Sequence, residues 1–497
     1  MVANQPQKMN AARPAASSRL AVVVLGVLCL AEAVKLVAFH LAGPAPLDGD
    51  AAAYWALGEQ VARGDVWMVE RPVGFRTPGY PWLLGLMQRL SGSEAWRAVI
   101  LGQHAAVGLT TVLTGWWVWQ LSGSLWLTNL AIGLRCVSLA AASYAGTVLT
   151  EPLYQPVFLA TLMVLTSQRP VRLWRRWTLL GVLFATGFLL RPANAGVTPA
   201  MALAAVLECW PLGHWRARLR GVACRLAIVG GIGAVIIGPW CVRNAMIFGQ
   251  PSPVIFLGRE LWMSVFGPGR PLGPELPSSP EADRIRTLLT EGDLGDDWRV
   301  NWTTSGVLTG AGLSDAEADD LMKTVAVQGF LAHPSRTALR AVQRQVDFWR
   351  TIYSRSLYLY GDALTADATP TGQTVWGSDS LRARRARWLD LAPECWLLVI
   401  ELGSLFGLVG ALGLLMLPAT WRAGAVVMTV LLVMDLLSGA LDIPNYRLRM
   451  ILEPMLIAGG VSGGMCWWTV LRRGLQITWH SETNASNASS VARAKRG

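Results

Sequence analysis

The chain has 497 residues, of which 53% are hydrophobic and 15% are charged. Ordinary soluble proteins carry about 25% charged residues, so a water-covered surface cannot be assembled from this composition. The mean hydropathy of +0.38 excludes intrinsic disorder, a collagen-like fibre and a disulfide-stapled scaffold, and leaves a polytopic membrane protein. The formal net charge of +11 then belongs to loops on one side of the bilayer rather than to a nucleic-acid surface.

In chain order, a basic tail over 1–19 carries Lys8, Arg13 and Arg19, and the apolar run Leu20 to Leu41 follows. That run is 22 residues long. Crossing a bilayer takes about 20 residues at 1.5 Å each, and a cleaved signal has an apolar region of only about 7–15. A retained first transmembrane helix is expected. Further apolar windows lie at 98–119, 125–145, 152–168, 177–190, 193–208, 222–240, 395–418, 423–441 and 449–471, which makes ten spans. The short pair 177–190 and 193–208 fits either two spans or a shallow hairpin.

The distribution of basic residues tests this set. With the N-terminus in the cytoplasm, the inward loops carry Arg169, Arg172, Arg175 and Arg176, then Arg216, Arg218 and Arg220, then Arg422, and finally Arg472, Arg473, Arg493, Lys495 and Arg496. Every short basic cluster falls on one side.

Two long segments face outward, 42–97 and 241–394. The second is rich in Pro and Gly near its start (FGPGRPLGPELPSSP) and carries a helical stretch from Ser314 to Arg350. Ser314 and Glu317 have capping-box spacing. Short amphipathic helices lying against the membrane are expected there, not an independent domain. The tail 472–497 is polar and reads as disordered. The seven cysteines show no metal-ligand spacing, and only Cys241 and Cys395 stand at outward helix ends, where a disulfide could join them.

On this topology the conspicuous polar residues gather at the outer face. Asp48, Asp50 and Arg76 lie in the first outward loop, Glu151 in LTEPLY, Arg191 in LLRPAN, Arg243 and Asn244 in PWCVRN, and Asp442, Asn445, Tyr446, Arg447 and Arg449 in DIPNYRLR. Any one of them is readily explained as a polar loop residue or a snorkelling arginine. The set is harder to explain so, because short outward turns should be poor in arginine. Outward guanidiniums beside carboxylates suit a bound phosphate, with a carboxylate as base.

At these residues the sequence resembles the GT-C glycosyltransferases, above all the protein O-mannosyltransferase and lipid A aminoarabinose transferase group. GDAAAYWALGEQVARG followed by FRTPGYPWLLGLM resembles that family's first outward loop, with Asp50 four residues before Tyr54 and Pro78-Gly79-Tyr80-Pro81 opening the next helix. LTEPLY, LLRP, GPWCVRNAMIFGQ, FLAHPSRTALRAVQRQVDFWR and NYRLRMILEP resemble later motifs in the same order, over roughly residues 20–470. The chain departs from the pattern where Ala51 follows Asp50, where Asn445 replaces a frequent Arg, and where Arg449 stands near a frequent Pro.

The resemblance implies a catalytic membrane module over 20–240, an extracytoplasmic region over 241–394 and C-terminal transmembrane helices over 395–471. It implies a polyprenyl-phosphate sugar donor, an acceptor hydroxyl on a glycan, lipid or protein, and inverting transfer. Asp50 is the expected base, with Asp48 second, and Glu151 orients the acceptor or helps ligate a metal. Arg76, Arg191, Arg243 and Arg447 are the expected phosphate partners, and Tyr54, Tyr80 and Tyr446 line the substrate site. No cofactor is required on this reading, although some relatives bind a divalent ion. The Ala- and Arg-rich composition suggests a bacterial cytoplasmic membrane, with the site facing outward.

Charges inside the spans, namely Glu32, Lys35, Arg135, Glu401 and Asp435, favour the alternative reading, a transporter or lipid flippase. Glu32 and Lys35 are three residues apart and should pair on one helix face.

Overall fold

The computed structural model describes residues 15–41, 47, 49–167, 172–268, 271–291, 295–350, 393–441 and 449–494. Among these the regular structure is entirely helical, and the chain is an all-α polytopic membrane protein. Helix α1 (Ala15–Leu41) lies at the periphery, with Val22, Val27, Leu30 and Val34 exposed to where lipid would be. Its polar side faces inward. Lys35 and Glu32 pair at 2.6 Å, as their spacing predicts, and the Thr111 hydroxyl donates to Glu32 at 2.9 Å.

Two shorter helices, α2 (Gly49–Ala62) and α3 (Gly79–Ser91), pack on each other, and a 3-10 turn joins α3 to the long α4 (Ala95–Ser122). The bundle continues through α5 (Leu125–Val137), the short α6 (Ala140–Tyr144), α7 (Glu151–Thr166), α8 (Leu173–Leu190), α9 (Thr198–Cys209) and α10 (Trp215–Phe248). Prolines start several of these elements: Pro152 in α7 and Pro199 in α9 sit in the first turn, where the missing N–H costs nothing. Lys35 Nζ donates to the carbonyls of Arg135 and Ser138 at 2.9 and 3.1 Å, satisfying the C-terminal end of α5. The central core joins Trp117, Phe158, Leu162 and Trp177 to Val427, Leu431, Met455 and Val461 from the C-terminal helices.

The second segment expected to face outward forms a helical cluster among its described residues. Its helices α11 (Leu257–Val265), α12 (Pro280–Glu291), α13 (Asn301–Gly310) and α14 (Asp315–Ala332) close around Trp262, Phe266, Ile285, Leu308, Met322 and Val325. These residues pack on one another, while Leu257, Trp302, Phe330 and Leu331 stay exposed. The Asp319 carboxylate accepts from the backbone N–H groups of Gly258 and Arg259 at 2.9 and 3.0 Å and so caps α11. The Ser314–Glu317 capping box opens α14 as its spacing predicts. Helix α15 (Pro334–Arg350) leans on this cluster, with Arg340 donating to the carbonyl of Gly267 at 2.6 Å.

Three further helices complete the chain: α16 (Pro393–Leu414), α17 (Trp421–Leu441) and α18 (Glu453–Ala494). Helices α16 and α18 meet backbone to backbone. A Cβ added to Gly463 would lie 1.5 Å from the Gly410 carbonyl oxygen, so only glycine permits this approach. The backbone of α18 stays helical through Ala494, whereas the polar tail reads as disordered; no Pro or Gly interrupts residues 475–494.

Ten spans are expected, and four described helical stretches have full bilayer length and hydropathy: Ser18–Leu41, Gly79–Ser122, Trp215–Phe248 and Glu453–Arg473. Leu125–Val137 is a shorter apolar helix, and Leu402–Leu414 is the C-terminal part of the 22-residue α16. Helix α9, at 12 residues, is only about 18 Å long at 1.5 Å per residue. The intramembrane charges are paired as well. Arg135 meets Glu453 at 2.9 Å, and Asp435 accepts from the Trp349 indole N–H at 2.9 Å. The side chains of Glu401 and Cys395 fall outside the described residues, and with Cys395 the expected disulfide to Cys241.

Candidate active site

The site begins on α2. Asp50 sits in its first turn, beside the positive end of the helix dipole, and Tyr54 follows one turn later on the same face. Together they grip Arg76. Its Nη2 donates to Asp50 Oδ1 at 2.6 Å, and its guanidinium lies 4.1 Å from the centroid of the Tyr54 ring. Arg76 is 11% exposed and Asp50 37%, so the carboxylate is the partner that faces outward. Burial pulls the Arg76 pKa down, but Tyr54 and Asp50 outweigh it and hold the guanidinium firmly charged.

Tyr54 meets Tyr80 edge to face, with centroids 5.1 Å apart. The buried Tyr80 hydroxyl donates to Gln103 at 2.6 Å, and the Gln103 amide donates in turn to the carbonyls of Ala145 and Thr147 at 2.9 and 2.6 Å. Those carbonyls lie in the turn that leads into Glu151. Glu151 is completely buried and pairs with Arg191 at 2.7 Å; Arg191 also donates to the Thr150 hydroxyl at 3.2 Å. The PGYP turn abuts the Arg191 turn, since a Cβ on Gly79 would lie 2.6 Å from the Leu189 carbonyl oxygen. Val148, Leu153 and Leu190 close the apolar floor beneath Tyr54 and Tyr80.

Six of the residues singled out in the sequence thus form one cluster: Asp50, Tyr54, Arg76, Tyr80, Glu151 and Arg191. It contains two carboxylate–guanidinium pairs, one open and one sealed. Arg243 stands apart. It is buried, and it donates to the carbonyls of Trp67, Met68 and Val73 at 2.9, 2.6 and 3.2 Å and to Asn244 at 2.8 Å. Its guanidinium holds the first outward loop by the backbone. The same loop is held from the second outward segment, where Asp315 accepts from Gly74 N–H at 2.8 Å and pairs with Arg259 at 2.7 Å. Arg449 likewise donates to the carbonyls of Phe348 and Trp349.

Asp48, Tyr446 and Arg447 lie outside the described residues, as do Asp442 and Asn445. Among the described residues no group of three or more His, Cys, Asp or Glu is placed to hold a metal ion. Gln103 and Thr150 belong to the cluster's framework and are not conspicuous in the sequence. A lone amide in the apolar window of α4 was the available signal for Gln103.

No protein-family model matches the chain, and no curated protein matches it. Among solved structures it is similar to the archaeal oligosaccharyltransferase AglB from Archaeoglobus fulgidus in complex with an inhibitory peptide and a dolichol-phosphate. That match has 13% identity and a TM-score of 0.46, over 94% of this chain and 52% of the other. The apo oligosaccharyltransferase from the same organism gives 14% identity and a TM-score of 0.47, over 91% and 52%. The chain therefore spans about half the length of these archaeal proteins. It is also similar to ArnT from Cupriavidus metallidurans bound to undecaprenyl phosphate, with 14% identity and a TM-score of 0.39, over 90% of this chain and 78% of that one.

Proposed function

We propose that the protein is a GT-C-type membrane glycosyltransferase. It moves a sugar from a polyprenyl phosphate to an acceptor hydroxyl at the outer face of a bacterial cytoplasmic membrane, with inversion. The observation that carries this reading is the pairing of solvent-exposed Asp50 with Arg76 beside the sealed Glu151–Arg191 pair, at one end of an apolar helical bundle. The ordered motifs that contribute these residues support the donor class.

In the proposed reaction the donor phosphate takes over Arg76 and frees the Asp50 carboxylate. Asp50 accepts the proton of the acceptor hydroxyl as that oxygen bonds to the anomeric carbon from the face opposite the leaving group. The bond from the anomeric carbon to the phosphate oxygen breaks, and its electron pair leaves with the polyprenyl phosphate. Arg76 and Arg191 stabilise the growing charge on that phosphate. Buried Glu151 holds Arg191 in place, while Tyr54 and Tyr80 wall the sugar. Arg243 acts by keeping the loop in register. Asp48, Tyr446 and Arg447 keep the roles that their sequence positions suggest.

The test is Asp50→Asn in reconstituted membranes supplied with labelled lipid-linked sugar. Release of polyprenyl phosphate should fall by about 10²–10⁴-fold, the usual contribution of a general base. Undiminished release by a correctly folded variant would remove Asp50 from the base role. Movement of label across vesicles without glycosyl transfer would favour a transporter.

A further inference from the structure

The opposite end of the bundle holds a cavity of about 430 Å³, within the usual range for a small-ligand site. Its walls come from the ends of four helices: Thr166 on α7, Arg176 on α8, Glu208 on α9, and Trp421 and Arg422 on α17, with Pro418 in the preceding turn. None of these residues belongs to the candidate active site.

The charges there do not cancel. Glu208 pairs with Arg176 at 2.8 Å and with Arg225 at 3.0 Å, so its carboxylate is matched twice, and it also accepts from the Trp177 indole N–H at 3.2 Å. Arg422 adds another guanidinium from the facing wall. Arg176 Nη1 is held by Glu208 and its Nη2 donates to the Leu165 carbonyl at 2.8 Å, which leaves its buried Nε as the donor with no hydrogen-bond partner among the described residues. Helices α8 and α17 begin at the cavity while α7 and α9 end at it, so their dipole ends offset one another and the side-chain guanidiniums supply the positive charge. Trp174, Trp210, Trp215 and Trp421 are exposed at this end, the pattern of an aromatic belt at headgroup level.

We propose that this cavity is a second anion site, which takes a phosphate ester at the membrane face opposite the candidate active site and holds the phosphate between Arg176 and Arg422. The exposed Arg422 guanidinium offers forked donors that match phosphate oxygens, Arg176 adds its unpartnered Nε, and the depth of the tryptophan belt is that of a phospholipid phosphate.

The test compares wild type with R422Q and with R176Q. Arg422 is exposed and outside the Glu208 ion pairs, so R422Q leaves the helix packing intact. One arm uses nanodiscs of phosphatidylcholine with a minor fraction of phosphatidylglycerol, and native mass spectrometry counts the lipid retained. The other uses delipidated protein in detergent and follows the thermal midpoint on addition of glycerol 3-phosphate. Wild type should retain one phosphatidylglycerol against excess phosphatidylcholine, and each variant should lose at least tenfold of that preference. A midpoint raised by glycerol 3-phosphate in wild type but not in R422Q, without lipid retention, would assign a soluble phosphate ester to the same site. Neither response in wild type, or equal responses in wild type and R422Q, would overturn the proposal.

Discussion

An arginine's role follows from what its donors meet. Arg76 shares its charge with an outward carboxylate, Arg191 with a sealed one, and Arg243 with backbone carbonyls. In the sequence all three look alike, as outward guanidiniums near helix ends. The spacing of Asp50 and Tyr54 made the first legible, because positions four apart share a helix face. Nothing in PWCVRN tells a guanidinium that awaits phosphate from one that folds back onto the chain. The two kinds should respond differently to substitution. Arg243→Lys removes the fork that spans the 67–73 carbonyls. It should lower stability in detergent by about 1–3 kcal/mol, the cost of leaving a buried polar group unsatisfied, and should open the loop to limited proteolysis. Arg76→Lys should leave the thermal midpoint within a few degrees and reduce glycosyl transfer.

At the scale of elements, the turns are fixed more by close approach than by propensity. The sequence gives α3 its start through Pro78-Gly79-Tyr80-Pro81, but the partner of Gly79 is Leu189, more than a hundred residues away. That long-range contact seats the first outward loop against the Arg191 turn. Gly79→Ala would drive a Cβ into the Leu189 carbonyl, and neither backbone can yield cheaply. The expected outcome is a loss of about 1–3 kcal/mol in thermal or denaturant unfolding, together with a matching loss of activity. Of helices α11 to α15 only the stretch from Ser314 to Arg350 was located in the sequence, and the cluster that α11 to α14 form was not legible. Their apolar residues suit a membrane surface and a neighbouring helix equally well, and the choice depends on the Asp319 cap and the Arg259 ion pairs, which span about sixty residues of chain.

At the scale of the whole molecule, composition and the one-sided basic loops were enough to define a helical membrane bundle. The ten windows were read from apolar runs and tested by that loop asymmetry, and four described helical stretches have the length and hydropathy to cross a bilayer. What holds the bundle is partly ionic, and those partners are remote in sequence. Arg135 and Glu453 are separated by 318 residues and meet with the arginine almost wholly buried. Glu453→Gln leaves that guanidinium uncompensated, so global stability should fall by about 3–5 kcal/mol, read as a lower thermal midpoint of the intact protein in detergent.

The seam between α16 and α18 bears on how such a molecule can move. Where carbonyl oxygen touches α-carbon with no side chain between them, neither helix can slide or rotate without a collision. The pair therefore travels as one stiff strut. Any opening that admits the proposed lipid-linked donor has to be hinged elsewhere, among the side-chain-lined contacts of the other helices.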